Sequence, residues 1–410
     1  MTQSTRLLTL AVCLMSPVGL AIAQNGDSKR PAIVVSAQAL NIHRSFPVID
    51  GHNDLPWALR QGGGRFDRFD IAQPQSQFHT DIPRLKAGGI GAQFWSVYVP
   101  TSTIRQGSAL TTTLEQIELV KQMAERYPET FEVALNTADI DRIRSQGKIA
   151  SLIGVEGGHS IEDSLNVLRQ LYAEGARYMT LTHSTSLDWA DSCSDEAKCG
   201  GLSAFGEQVV REMNRLGMLV DISHVSPDCM RHTLRVAKAP IIFSHSSARA
   251  IADHPRNVPD DVLTLTKENG GVVMINFFND FIHPTDAARS NRRSKVREDL
   301  ELRYADDERS QAELRRWELA NPRSHQCTVH EVLDHIDHVV RVAGIDHVGL
   351  GSDFDGVPAL PAQLDDVASY PVITQGMLDR GYDEAAIRKV LGENVLRVFR
   401  SAEAVAQSLD

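Results

Sequence analysis

The chain has 410 residues, 42% of them hydrophobic and only 6% aromatic, with a formal net charge of −11. That is ample apolar material for a large core in one domain. Lysine and arginine are spread along the chain, which excludes the basic footprint of a nucleic-acid-binding protein, and the acidic surplus reads as solubility.

The first feature is Arg6 followed by the apolar run LLTLAVCLMSPVGLAIA, closing on Ala21-Ile22-Ala23. An A-x-A end on such a run fits a signal peptide over residues 1–23, cleaved near Ala23. The run is too short for a membrane span and is interrupted at Pro17. Residues 24–410 are therefore expected as a single exported domain, periplasmic or secreted. The polar end RSAEAVAQSLD predicts no membrane anchor.

Eight short apolar runs follow, at 48–50, 91–99, 149–157, 177–183, 218–224, 240–246, 271–278 and 347–354. Between them lie amphipathic stretches such as LTTTLEQIELVKQMAERY and VHEVLDHIDHVVRVAG, several closed by the glycine that commonly ends a helix. Strand alternating with helix implies right-handed βαβ units and a parallel sheet, and eight strands suggest a closed (β/α)8 barrel of the TIM type. One segment breaks the rhythm. Residues 284–326, after the seventh run, are dense in both charge signs and read as a charged helical insertion, solvated by default. Trp317 within it hints at a lid or a subunit contact. Cys193 and Cys199 close the loop SCSDEAKC, and in an oxidising compartment they are expected to pair. Zinc binding by that pair is the alternative, although no second Cys or His pair stands at finger spacing.

The ends of the runs carry the chemistry. The first continues into His52 and Asp54, the third ends in Glu156 and the fourth in His183. The fifth ends in His224, the sixth in His245 and the eighth in Asp353, while the second and seventh offer no obvious ligand. In a barrel all of these ends open on one face. Each residue alone has an ordinary reading, as a hydrogen-bonded histidine or a turn-forming acid. Six strand ends of eight together argue for metal. Histidines and carboxylates without cysteine suit zinc, with tolerance for manganese or cobalt. Glu156 stands between the two groups in sequence, so it is expected to bridge two ions. One ion would be held by His52, Asp54 and Glu156, the other by Glu156, His224 and His245, and the expected reaction is hydrolysis.

These residues resemble the zinc-dependent membrane (renal-type) dipeptidases, peptidase family M19. The stretches that carry the resemblance are VIDGHNDLPW, AGGIGAQFWSVY, ASLIGVEGGHSIEDSL, RYMTLTHS with WAD, DISHVS, IIFSHSSAR, RNVPDDVL, VVMINFF and GSDFDGVP. The resemblance runs from about Pro47 to Phe399. The resemblance implies a metal-dependent hydrolase barrel with two Zn2+ per chain that cleaves dipeptides with a free C-terminal carboxylate, L-Xaa-D-Xaa among them. It implies that a metal-bridging hydroxide attacks the carbonyl while Asp353 acts as acid and base. His183 then resembles the residue that supports the developing oxyanion, and Arg256 the one that pairs with the terminal carboxylate. Trp57 is expected to line the pocket, and a homodimer is implied. Another amidohydrolase reaction on the same barrel, of lactonase or deaminase type, is the alternative, and a binding protein without turnover a third. The insertion at 284–326 is longer than the corresponding loop of mammalian members, which puts their substrate range and assembly in question here.

Overall fold

Among the described residues there are nine parallel strands, and eight of them close a barrel. The computed structural model describes residues 30–64, 66–304, 307–324 and 326–409, so the expected signal peptide lies outside the described residues. The strands are β1 (Val48–Asn53), β2 (Ile90–Tyr98), β3 (Phe131–Val133), β4 (Ile149–Glu156), β5 (Ala176–Thr180), β6 (Leu219–Asp221), β7 (Ile242–Phe243), β8 (Val272–Ile275) and β9 (Val348–Leu350). Their order is β2-β1-β9-β8-β7-β6-β5-β4, and pairing of β2 with β4 closes the ring. Short β3 sits outside it, pairing Phe131 with Ile149. The apolar runs gave no sign of it, because three residues with Glu132 in the middle make no run.

The barrel strands are buried on both faces, which is why they read as continuous apolar segments rather than alternating ones. Several are shorter than the runs that announced them. The ends of those runs leave the ladder and turn into loops, as where the His224 carbonyl accepts from the Cys193 amide at 2.8 Å. Register puts Tyr98 of β2 beside Glu156 of β4, Glu156 beside Thr180 of β5, and Thr180 beside Asp221 of β6. Because every pairing is parallel, these residues stand at one level near the same mouth.

The helices are held by ordinary means. Ala109–Arg126 buries Ile117, Val120, Met123 and Ala124, one stripe of its surface. Ala204–Leu216 starts at Ser203, whose hydroxyl accepts from the Gly206 amide, and ends at left-handed Gly217. Val329–Val342 opens with a capping box of Thr328 and Glu331. Inside the barrel, Tyr178 packs 5.3 Å from Phe94. A Cβ at Gly154 would lie 2.0 Å from the Tyr178 ring, so only glycine leaves room for it.

The insertion forms two helices, Pro284–Arg303 and Asp307–Ala320. It departs from the expected solvated insertion in that Asp286, Ala287 and Arg289 are buried. The bridge expected between Cys193 and Cys199 is also absent, both thiols being free. Their loop is organised instead around the Asp191 carboxylate, which accepts from the amides of Lys198 (2.6 Å), Cys199 (3.0 Å) and Gly201 (2.6 Å). The Cys199 thiol itself donates to Asp191 at 3.4 Å, so a carboxylate does the work expected of the disulfide.

Candidate active site

β1 carries His52 into the barrel mouth, with Asp54 one residue past the strand. The Tyr178 phenol lies 2.9 Å from His52 Nδ1, which leaves Nε2 aimed at Asp54 Oδ2 (3.2 Å) and Glu156 Oε1 (3.7 Å). Glu156 ends β4, and its Oε1 is the point of convergence. The Nε2 atoms of His224, His245 and His183 lie 3.0, 3.5 and 3.7 Å from it. Its other oxygen accepts from the Ser96 hydroxyl at 3.1 Å. His224 and His245 face each other, Nε2 to Nε2, at 2.8 Å. His245 is oriented through Nδ1 by Ser244 Oγ at 2.8 Å, and Ser244 donates to Asp221 at 2.6 Å.

Asp353, three residues past β9, accepts from Asn276 Nδ2 at 2.7 Å. It groups with His52 and Asp54 so that one ligand atom of each lies within 4.8 Å of the others. Two more such groups are His52, Glu156, His245 and Glu156, His183, His224. The five expected ligands are thus brought together, with His183 and Asp353 beside them. The sets cross the division expected from sequence order, since His245 groups with His52. His224 and Asp353 both hold left-handed backbone at φ 66°, a strained conformation for residues with a Cβ. Gly356 lets the carboxylates approach, because a Cβ there would meet Asp54 Oδ2 at 2.1 Å and Asp353 Oδ1 at 2.5 Å.

Burial sets the protonation. It holds His224 and His245 well below the ordinary histidine range and His183 down at about 3, with the Arg256 charge adding to the effect. Their ring nitrogens are therefore neutral. His52 is pulled down by burial too, but Asp54 and Glu156 beside it outweigh that and raise it to about 10. Burial lifts Glu156 to about 8 and Asp353 to about 7, each against the nearby His52 charge. Three carboxylates and neutral imidazoles packed this closely form a set of donors suited to cations.

Residues 36–410 match the sequence model of the membrane dipeptidases, peptidase family M19. The chain belongs to family M19. It is a hydrolase acting on peptide bonds, in a family of metal-dependent dipeptidases. Its fold is similar to that of a probable dipeptidase, PvdM, from Pseudomonas aeruginosa, at 22% identity and a TM-score of 0.77 over 90% of this chain and 98% of that one. A metallo peptidase from Rhodobacter sphaeroides, liganded with a phosphinate mimic of the dipeptide L-Ala-D-Ala, matches at 24% identity and 0.72 over 87% and 99%. The dipeptidase AC, a metallo peptidase of the same family, matches at 25% and 0.72 over 87% and 98%.

Beside the carboxylates of this M19 chain lies a cavity of about 1350 Å³ lined by His183, His224 and Arg256. Arg256 is 3% exposed. Its Nη2 donates to the His245 carbonyl at 3.0 Å and its Nη1 to Ser246 Oγ at 3.3 Å, while Nε is buried without a partner. Trp57 does not line this cavity. It meets Tyr98 edge-on at 5.0 Å, and Tyr98 in turn lies 4.9 Å from the His183 ring, so Trp57 stands one ring removed from the centre. Strand ends that offered no ligand contribute all the same: β2 brings Ser96 and Tyr98, and the chain after β8 brings Asn276. Burial, with Glu156 and Asp54, pushes the Tyr98 phenol up to about 12. Asp50, two residues before His52 in the same strand, accepts from Ser352 and Gln93 and, at 3.5 Å, from the His52 amide. Asp355 accepts from the His79 amide at 2.6 Å, and His159 lies against the Val99 carbonyl at 3.1 Å.

Proposed function

We propose that the chain is a binuclear zinc dipeptidase that hydrolyses dipeptides with a free C-terminal carboxylate, L-Xaa-D-Xaa peptides among them. The observation that carries this reading is the Glu156 carboxylate with four histidine Nε2 atoms within 3.7 Å of one oxygen. The residues fit such ions. His224 and His245 point neutral nitrogens at each other across 2.8 Å, and oxygen donors fill the other side of the cluster. His52, Asp54 and Glu156 would hold one zinc, and Glu156, His224 and His245 the other. When bound, the pair supplies a water of lowered pKa and polarises the scissile carbonyl.

The chain's own groups supply the rest. Asp353, held by Asn276 and poised near neutrality by burial, takes the proton of the attacking water and delivers it to the leaving amine. His183, kept neutral, donates to the carbonyl oxygen as charge develops there. Arg256, fixed by two hydrogen bonds and lining the same cavity, receives the terminal carboxylate. The phosphinate mimic of L-Ala-D-Ala in the Rhodobacter neighbour supports the substrate class. The leader sequence supports export, and the family resemblance supports a dimer; among the described residues no helix is long and apolar enough to cross a membrane.

The test is a zinc titration of metal-stripped mature protein, read by hydrolysis of L-Ala-D-Ala. Activity is expected to rise until two equivalents are bound per chain. Tight zinc binding with no dipeptide hydrolysed would sink the proposal.

A further inference from the structure

The helical insertion reaches the cavity. Arg289, Arg293, Arg315 and Arg323 line it together with Arg256, against only three acids, Asp280, Glu318 and Asp365, on a chain whose net charge is −11. Two of the four insertion arginines are already matched: Arg323 pairs with Asp280 at 2.8 Å, and Arg293 with Glu318. The other two are not. Arg315 is exposed and forms no ion pair among the described residues. Arg289 is only 5% exposed, its Nε donates to the Asn321 carbonyl, and its Nη1 is buried with no partner. A guanidinium in the cavity wall with one donor left without an acceptor in the protein favours an anionic ligand beside it.

The wall is fastened to the loop that carries Arg256. His254 Nε2 lies 3.2 Å from Ser290 Oγ, and Asn291 donates to the Asp253 carbonyl at 2.7 Å. The helix bearing Arg289 is thereby tied to the segment that presents Arg256. The cavity, at about 1350 Å³, also exceeds the roughly 300–1,000 Å³ usual for small-molecule sites, so a long side chain has room.

We infer that this basic wall selects dipeptides whose C-terminal residue carries a side-chain carboxylate, aspartate or glutamate. The inference rests on the dipeptidase reading. With the terminal carboxylate on Arg256, the side chain of that same residue lies in the cavity that Arg289 and Arg315 line. A positive wall on an acidic protein also concentrates doubly anionic peptides at the mouth.

The test compares kcat and KM of the zinc-loaded full chain on L-Ala-D-Glu and L-Ala-D-Gln, which differ in charge and hardly in shape, and on the all-L pair. The glutamate peptide of the accepted hand is expected to be preferred about tenfold or more in kcat/KM, the size of one charged hydrogen bond. Arg315→Gln, at an exposed position, and Arg289→Gln, checked for folding by thermal melting, should each reduce that preference through KM and leave the glutamine peptide as it was. Equal kcat/KM for the two peptides, or variants that slow both alike, would overturn the inference while the dipeptidase stands. No hydrolysis of any dipeptide would instead remove the reading on which it rests.

Discussion

Two sets of buried polar side chains share the barrel mouth, and they handle burial in opposite ways. In one, every acceptor has its donors. Asp50 accepts from the Ser352 amide (2.8 Å), the Ser352 hydroxyl (2.7 Å) and Gln93 (3.0 Å), and Asp221 from Ser223 and Ser244 amides, the Ser244 hydroxyl and Thr180. In the other, Asp54, Glu156 and Asp353 face histidine nitrogens and one another, with Ser96 and Asn276 the donors that steady them. A carboxylate surrounded by donors is architecture, whatever motif it sits in. A carboxylate left among imidazole nitrogens is a place for a cation and a moving proton.

The contrast is sharp enough to break. Asp353→Asn should lower kcat by about 10²–10⁴-fold, the usual worth of a general acid–base group, with bound zinc unchanged. Steady-state kinetics beside metal analysis decide it, and full turnover in the variant would remove Asp353 as proton carrier. Asp50→Asn should do the reverse. Its amide would turn an NH2 towards donors, so the variant should lose about 2–3 kcal/mol in urea unfolding while its folded fraction turns over normally. Lost turnover with stability intact would mean that the two sets are not separate. Tyr178→Phe probes the link between them, since its phenol orients His52. Here the expected change is the smallest, a roughly tenfold weaker hold on zinc in competition with a chelator, and an unchanged affinity would leave His52 oriented by packing alone.

Much of the fold was legible because its signals are local. Eight apolar runs separated by amphipathic stretches specify a parallel barrel, and each barrel strand falls within or close to one of those runs. The ligand-type residues were legible for a related reason: they end the runs, and parallel strands carry their ends to one face. Less visible were the partners. Asn276 bonds Asp353 from 77 positions away and Tyr178 reaches His52 across 126, and a serine, an asparagine or a tyrosine at a strand end carries no mark of what it will meet.

The order of hydrophobic and polar residues therefore determined the architecture and the kind of atoms at its mouth, since both follow from periodicity and from where strands stop. Only the tertiary structure decided how those atoms group. It placed His245 with His52, left Cys199 donating to Asp191 where a disulfide was expected, and turned a charged insertion into a wall of arginines beside Arg256. Each of those outcomes depends on distances between segments far apart in the chain. Charge and propensity are properties of single residues and short windows, and such distances are set by the packing of the whole barrel.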